Sequence, residues 1–236
     1  MQSLALDKST ASQPSADDEL ISLQLAARNK ARMSTDLPQR RIVAATASPT
    51  RLARLAAAGL QVESRPARVD EAMIRESLSA EGASPRDQAD TLAEWKARSV
   101  APRFPEDLVL GADQILALDD TVFSKPEDRE HARNDLMKLQ GRTHRLYSAI
   151  VLFDHGQPIW RHIGEARMTM RSLSPVAIDA YLDRNWPTVA GSVGAYQIEN
   201  EGIRLFSAIE GDHDTILGMP LLPFLNYLTL RGFIPS

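Results

Sequence analysis

Apolar positions in this chain repeat at two spacings, and the two alternate from residue 41 onward. Arg41-Ile42-Val43-Ala44-Ala45 is a short apolar run of the kind that fills a buried strand. The segment that follows, AATASPTRLARLAAAGL over residues 44–60, changes period: Leu52, Leu55 and Ala56 recur at i, i+3 and i+4 and give a helix one apolar face. Ser48 suits its N-cap, where a side-chain oxygen accepts from a first-turn N–H, and Pro49 suits the next position, where a missing N–H costs nothing. Gly59 supplies the stop. Residues 61–65 predict a second strand, and Ser84-Pro85 opens a helix through Leu92, Trp95 and Lys96. Residues 107–111 form an apolar strand ending in Ala112-Asp113-Gln114. A helix over 128–139 stops at Gln140-Gly141. Residues 146–153 and 159–170 read as paired strands turned by Asp154-His155-Gly156-Gln157. Ser174-Pro175 caps a helix to about Arg184, and residues 220–230 form the last. Strands mixed with amphipathic helices predict an α/β fold without internal repeats.

Residues 1–37 break this pattern. They are rich in Ser, Ala, Asp and Gln with one weakly helical piece at 20–33, and read as a poorly ordered extension before a single domain over 38–236. Met33, just before the first strand, is an alternative start to Met1. Of the 236 residues, 43% are hydrophobic and 25% charged, enough for one soluble domain with a real core. No apolar run approaches the ~20 residues that span a bilayer, and the N-terminus lacks the basic and apolar regions of a secretory signal. The absence of cysteine excludes disulfides, thiolate metal sites and a cysteine nucleophile, and fits a cytoplasmic protein. A net charge of -4 excludes the basic footprint of a nucleic-acid polymer binder but leaves small anionic ligands open.

The candidate chemistry follows from position. A strand turning sharply into a helix N-terminus makes an anion site, so Ser48 and Arg51, one turn in, are placed to hold a phosphate; a plain cap and a solvated arginine would look the same. Asp113 follows an apolar strand and a glycine, which predicts its emergence at the strand's C-terminal end, where α/β proteins bind ligands. A structural turn aspartate is the alternative. In Phe123-Ser124-Lys125-Pro126 the proline biases Lys125 toward extended backbone and so fixes the direction of its ammonium. Lys96 lies on a helix, where lysines are usually solvated. Val69-Asp70-Glu71 offers either a magnesium ligand or a helix capping box. The five histidines are scattered and suggest no metal or acid–base role. No dinucleotide fingerprint, phosphate-loop lysine or nucleophile elbow is present.

In chain order the segments ATASPTRLARLAAAGL, VDE, LAEWKA, LGADQI, SKPED with HARNDLMKLQGRTH, VGAYQIENEGI and EGDHDTILGMPL resemble the Maf family of nucleotide pyrophosphatases, also known as septum-formation inhibitors. The resemblance runs from about residue 41 to the C-terminus. It implies an elongated mixed sheet flanked by helices with a nucleotide cleft, like the inosine-triphosphatase class. It implies hydrolysis of a nucleoside triphosphate to monophosphate and pyrophosphate with a divalent cation, Mg²⁺ or Mn²⁺. On the family pattern Asp113 is the catalytic aspartate, Lys96 and Lys125 the two phosphate-side lysines, Glu71 the early acid and Arg51 the second arginine of a Ser-Pro-Arg-Arg motif. Beside it, the reading of the residues expects Ser48 and Arg51 on the triphosphate and Glu71 on the cation, with Asp113 as general base, metal ligand or both. Thr50 replaces an arginine of that pattern, while Gln114 and Glu199 match the branch acting on 7-methyl-GTP rather than the one acting on dTTP and UTP. The resemblance leaves a homodimer open and implies neither a membrane nor a nucleic-acid partner. A nucleotide-binding regulator of septation with little turnover is the competing expectation.

Overall fold

The computed structural model describes residues 40–235. The expectations for residues 1–37 lie outside that range. Within it, no helix is long and apolar enough to cross a membrane.

Seven strands form one mixed sheet in the order β2-β1-β3-β5-β6-β7, with a short β4 also on β3. β1 (Ile42–Ala44) is parallel to β2 (Val62–Ser64) on one side and to β3 (Leu108–Leu118) on the other. β3 is antiparallel to β4 (Thr121–Phe123) and β5 (Thr143–Asp154), which continues through β6 (Gln157–Met170) to β7 (Phe206–Glu210). The expected α/β class and the elongated mixed sheet are what the chain forms.

Two differences from the sequence reading matter for the site. Asp113 does not leave the end of a strand: β3 runs five residues beyond it, because β5 pairs with Val109 through Ala117 and carries the ladder on. It is β1 that stops. β1 pairs only with Leu108, Val109 and Leu110, and β4 takes up the same edge again at Leu116. Residues 111–115 therefore face a gap in the sheet, and Asp113 sits at its centre. The second difference is a helix absent from the sequence reading, α2 (Glu71–Ala80), which buries no residue fully and turns only Ile74 and Leu78 of its apolar side chains inward.

Five helices follow expectation: α1 (Pro49–Ala57), α3 (Pro85–Val100), α4 (Arg129–Leu139), α5 (Pro175–Asn185) and α7 (Leu221–Leu230); a single turn, α6 (His213–Ile216), is a further helix that the sequence reading did not give. Side chains alternate across β3. Leu108, Leu110 and Ala112 pack under α1 and α7 with Leu55 and Phe224, while Val109, Ile115 and Ala117 pack under α3 with Leu92, Ala93 and Val100. The far end of the sheet covers a third cluster with α4 and α5, including Leu116, Leu136, Met168 and Tyr181.

Candidate active site

Gly111 sets the site. It shares a face of β3 with Asp113, two residues on, because strand side chains repeat every second position. A Cβ at Gly111 would lie 2.0 Å from the Ala93 carbonyl oxygen and 2.8 Å from the Ala97 amide nitrogen, so α3 reaches this distance only over a bare backbone. One turn along, that approach brings Lys96 onto Asp113: Nζ donates to Oδ1 at 2.6 Å, with both residues buried. A helix position alone would leave a lysine in solvent; here Lys96 is a cleft residue. Nζ also lies 2.9 Å from Glu71 Oε1, so one ammonium holds two carboxylates.

Glu71 comes from the first turn of α2. The two readings of Val69-Asp70-Glu71 divide between neighbours: Asp70 is the N-cap, accepting from the Met73 N–H at 3.0 Å, and Glu71 turns into the cleft. Burial alone would raise the Glu71 pKa, but the charge and hydrogen bond of Lys96, with Arg75 behind them, outweigh it and hold the carboxyl below its ordinary value. Arg75, one turn further along α2, was not singled out by the sequence. Its guanidinium lies 3.5 Å from Asp113 Oδ2 and 3.7 Å from Glu71 Oε2. The i, i+4 spacing from Glu71 was its only sequence signal.

Across the gap stands α1. Ser48 caps it as expected, its hydroxyl accepting from the Arg51 N–H at 3.4 Å. Arg51 is held more firmly than a surface arginine would be. Its NH1 donates to the Ala112 carbonyl at 3.0 Å and its Nε to the Gly218 carbonyl at 2.8 Å. Leu110 O accepts from Ala45 N, and Ala112 O, pointing the same way two residues on, is the acceptor that β1 leaves behind. Arg51 completes the broken edge while still lining the cleft. Burial lowers its pKa, partly offset by the Asp113 and Glu71 charges. Gly218 makes this contact with φ +83, a conformation L side chains seldom adopt. Lys125, in the loop after β4, is exposed at the rim; partial desolvation, and then the Arg51 charge, lower its pKa.

These groups line one cleft of about 540 Å³, together with Thr50, Gln114 and Glu199. The structure therefore brings together all nine residues singled out by sequence. Gln114 faces the sheet side opposite Asp113. Its amide nitrogen is spent on Ser148 Oγ and the Ile216 carbonyl, both at 2.9 Å, and so is not free to donate to a ligand as its residue type suggests. Glu199 is exposed and makes no hydrogen bond or ion pair among the described residues. Tyr196 also lines the cleft, with its hydroxyl 2.8 Å from Nε2 of the fully buried His144. Burial depresses the His144 pKa to about 4, so this histidine is a neutral packing partner.

Lys96, Arg51 and Arg75 with Lys125 at the rim stand against Asp113 and Glu71, so this set of cleft groups carries two positive charges in excess. Such a site suits an anion with several oxygens. Buried Asp113 Oδ2 and Arg75 Nε, both on cleft residues, have no hydrogen-bond partner.

Comparison with known proteins agrees. The family described as Maf-like protein matches residues 41–230. A Jannaschia protein named nucleoside triphosphate pyrophosphatase 1 is 52% identical over 194 residues, covering 82% of this chain and 98% of that protein. A Mesorhizobium japonicum protein named 7-methyl-GTP pyrophosphatase is equally similar, 52% identical over 194 residues with the same coverage of both chains. Among solved structures, a Mycobacterium abscessus dITP/XTP pyrophosphatase shows 19% identity and a TM-score of 0.37 over 61% of this chain and 94% of that one, too little to bear on the fold. With the family match spanning most of the chain and relatives at half identity aligned almost end to end, the chain belongs to the Maf family.

Proposed function

We propose that this protein hydrolyses nucleoside triphosphates to the monophosphate and pyrophosphate. The observation that carries the reading is the Asp113–Lys96–Glu71 cluster in a cation-rich cleft beside the N-terminus of α1. Relatives carrying nucleoside triphosphate pyrophosphatase names support it.

Phosphoanhydride cleavage needs charge neutralisation and an in-line water more than covalent help. Arg51, Lys96 and Lys125 neutralise the phosphates. Lys96 holds Asp113 Oδ1, and Oδ2, which accepts no hydrogen bond and has only the Arg75 charge nearby, is the oxygen left to orient a water and accept its proton. The water oxygen bonds to the α-phosphorus, the bond from that phosphorus to the bridging oxygen breaks, and pyrophosphate leaves with the electron pair. General-base help of this kind is worth about 10²–10⁴-fold.

The donor set suits a hard divalent cation. Among the described residues no three His, Cys, Asp or Glu side chains cluster as ligands, but Asp113 and Glu71 touch the same ammonium. Two carboxylates completed by substrate phosphates are a usual magnesium arrangement. Glu71 and Asp113 would hold Mg²⁺ or Mn²⁺, and the ion would supply further neutralisation of the phosphate oxygens. Protein treated with a chelator should lose turnover and recover it with either cation.

At the base end, Glu199 offers acceptors only, and Gln114, with its nitrogen occupied, offers its carbonyl oxygen. Two acceptors suit the adjacent N1–H and amino group of guanine, and a positively charged 7-methylguanine more so. Uracil and thymine offer one N–H between two carbonyl oxygens. We therefore place guanine-type triphosphates, 7-methyl-GTP among them, ahead of dTTP and UTP. Thr50 leaves more room than an arginine would.

The test is phosphate release from a nucleotide panel with and without added inorganic pyrophosphatase. Phosphate only when that enzyme is added is the expected result. Binding without turnover of any nucleotide would instead support a nucleotide-binding regulator.

A further inference from the structure

The reading above uses three cations, and Arg75 is not among them. Its environment is unusual for a structural ion pair. The side chain is 23% exposed, lines the cleft and faces both carboxylates, yet its contacts at 3.5 and 3.7 Å are longer than a good charge-assisted hydrogen bond of about 2.7–2.9 Å. Its Nε is buried with no partner, and the carboxylate oxygen it faces on Asp113 has none either. A guanidinium presents a planar fork of donors, and a buried donor left without a partner is destabilising. Arg75 balances the two carboxylates by charge while its hydrogen-bonding geometry stays incomplete. Arg51 is the contrast: two of its donors are fixed on backbone carbonyls at 2.8 and 3.0 Å.

The element that carries Arg75 is also lightly held. No residue of α2 is fully buried, Ile74 is only partly packed beneath α3, and Met73 is 63% exposed. Arg75 and Glu71 thus sit on a helix whose first turns can shift without opening a core.

We propose that Arg75 is a fourth phosphate-binding residue, which leaves the carboxylates and places its Nε and a terminal nitrogen on oxygens of the bound polyphosphate. This inference rests on the nucleotide reading of the cleft. The complementary chemistry is a pyrophosphate or triphosphate group, whose paired terminal oxygens match the fork. Transfer of Arg75 also frees Asp113 Oδ2 and Glu71 Oε2 from a competing cation.

Two measurements on the full chain test this: calorimetric titration with inorganic pyrophosphate in chelator, and steady-state kinetics with the best nucleotide of the panel. Arg75→Met should weaken pyrophosphate binding about tenfold or more and raise KM by a similar factor, with kcat less affected. Arg75→Lys keeps the charge, preserves the fold and removes the fork; it should recover part of the affinity and not all of it. If Arg75→Met binds pyrophosphate and nucleotide within twofold of wild type, even with a lower Tm, Arg75 is a structural ion pair and the proposal is overturned. Likewise, full recovery in Arg75→Lys would remove the bidentate contact. The failures separate cleanly. Wild type that binds pyrophosphate through Arg75 but releases none from any nucleotide overturns the hydrolase reading alone. Wild type that hydrolyses, with Arg75→Met unaffected, overturns the Arg75 assignment alone.

Discussion

The two helices that supply the carboxylate end of the cleft are built differently. α3 buries Gln88, Ala89, Leu92, Ala93, Lys96, Ala97 and Val100, and lies directly on β3 over Gly111. Each large apolar side chain buried there contributes on the order of 1.5–3 kcal/mol, so the Lys96 backbone is fixed by the core itself. α2 buries nothing fully and is joined to α3 at the site by the pair of half-exposed Glu71 with buried Lys96. A pair with one partner near solvent is a weak tether beside the packing under α3. One wall is therefore fixed before any ligand arrives, while the other is placed by the same charges that a polyphosphate and a cation would rearrange. Asp113 and Lys96 belong to the first wall, Glu71 and Arg75 to the second.

The largest effect should come from the fixed wall. Asp113→Asn keeps the shape and removes the charge and the proton acceptor, so kcat should fall at least ~10²-fold with little change in KM. Activity within a few-fold of wild type would remove Asp113 from the chemistry and with it the division of labour drawn here.

Gly111→Ala probes how that wall is fixed. The new methyl would meet backbone atoms of Ala93 and Ala97 rather than the end of a movable side chain. Such overpacking costs about 1–3 kcal/mol, and we expect the upper end, read by denaturant melting, together with reduced kcat as Lys96 is pushed from Asp113. A neutral result would mean that α3 slides and that the wall is not rigid.

Much of this was legible in the sequence, and the exceptions have physical reasons. Ser48, Pro49 and Gly59 announced α1 because caps are local chemistry, and the structure obeys them. The gap at Asp113 was not legible. It arises because β1 ends after Ala44 while β5 carries β3 onward, and pairing between distant strands leaves no local mark. α2 was missed because its apolar residues are split: Ile74 and Leu78 face inward at i, i+4, while Ala72, Met73 and Ala80 are exposed. Arg75 went with it. Gln114 was recognisable as a cleft residue, but which of its amide atoms is free depends on Ser148 and on α6, more than thirty residues away in sequence.

Lys125 tests the rim, outside both walls. It makes no hydrogen bond or ion pair among the described residues, so removing it should leave the fold alone. Lys125→Ala deletes one phosphate contact worth roughly 1.5–3 kcal/mol and should lower kcat/KM by about one to two orders of magnitude at unchanged Tm. A neutral result would return it to a turn lysine and leave the phosphate charge to the walls.

The smallest effect concerns pH and the loose wall. The Glu71 pKa is held below its ordinary value by Lys96 and Arg75, so the unfolded chain takes up the proton first as pH falls. The stabilising pairing is complete above the ordinary value of 4.5 and is lost as pH falls through the lower folded pKa. After correction for intrinsic exchange rates, amide protection in α2 should weaken relative to α3 below pH 4.5, and this extra loss should vanish in Glu71→Gln. Parallel losses in both helices would show that α2 is docked by more than this cluster.

The central claim is that the groups gathered at the sheet gap direct water onto the α-phosphorus. Hydrolysis of the preferred nucleoside triphosphate in ¹⁸O-enriched water, followed by mass spectrometry of both products, reads the bond broken. The account predicts one labelled oxygen in the nucleoside monophosphate and none in the pyrophosphate. Label in the pyrophosphate with an unlabelled monophosphate, or release of single phosphate with a nucleoside diphosphate, would contradict it.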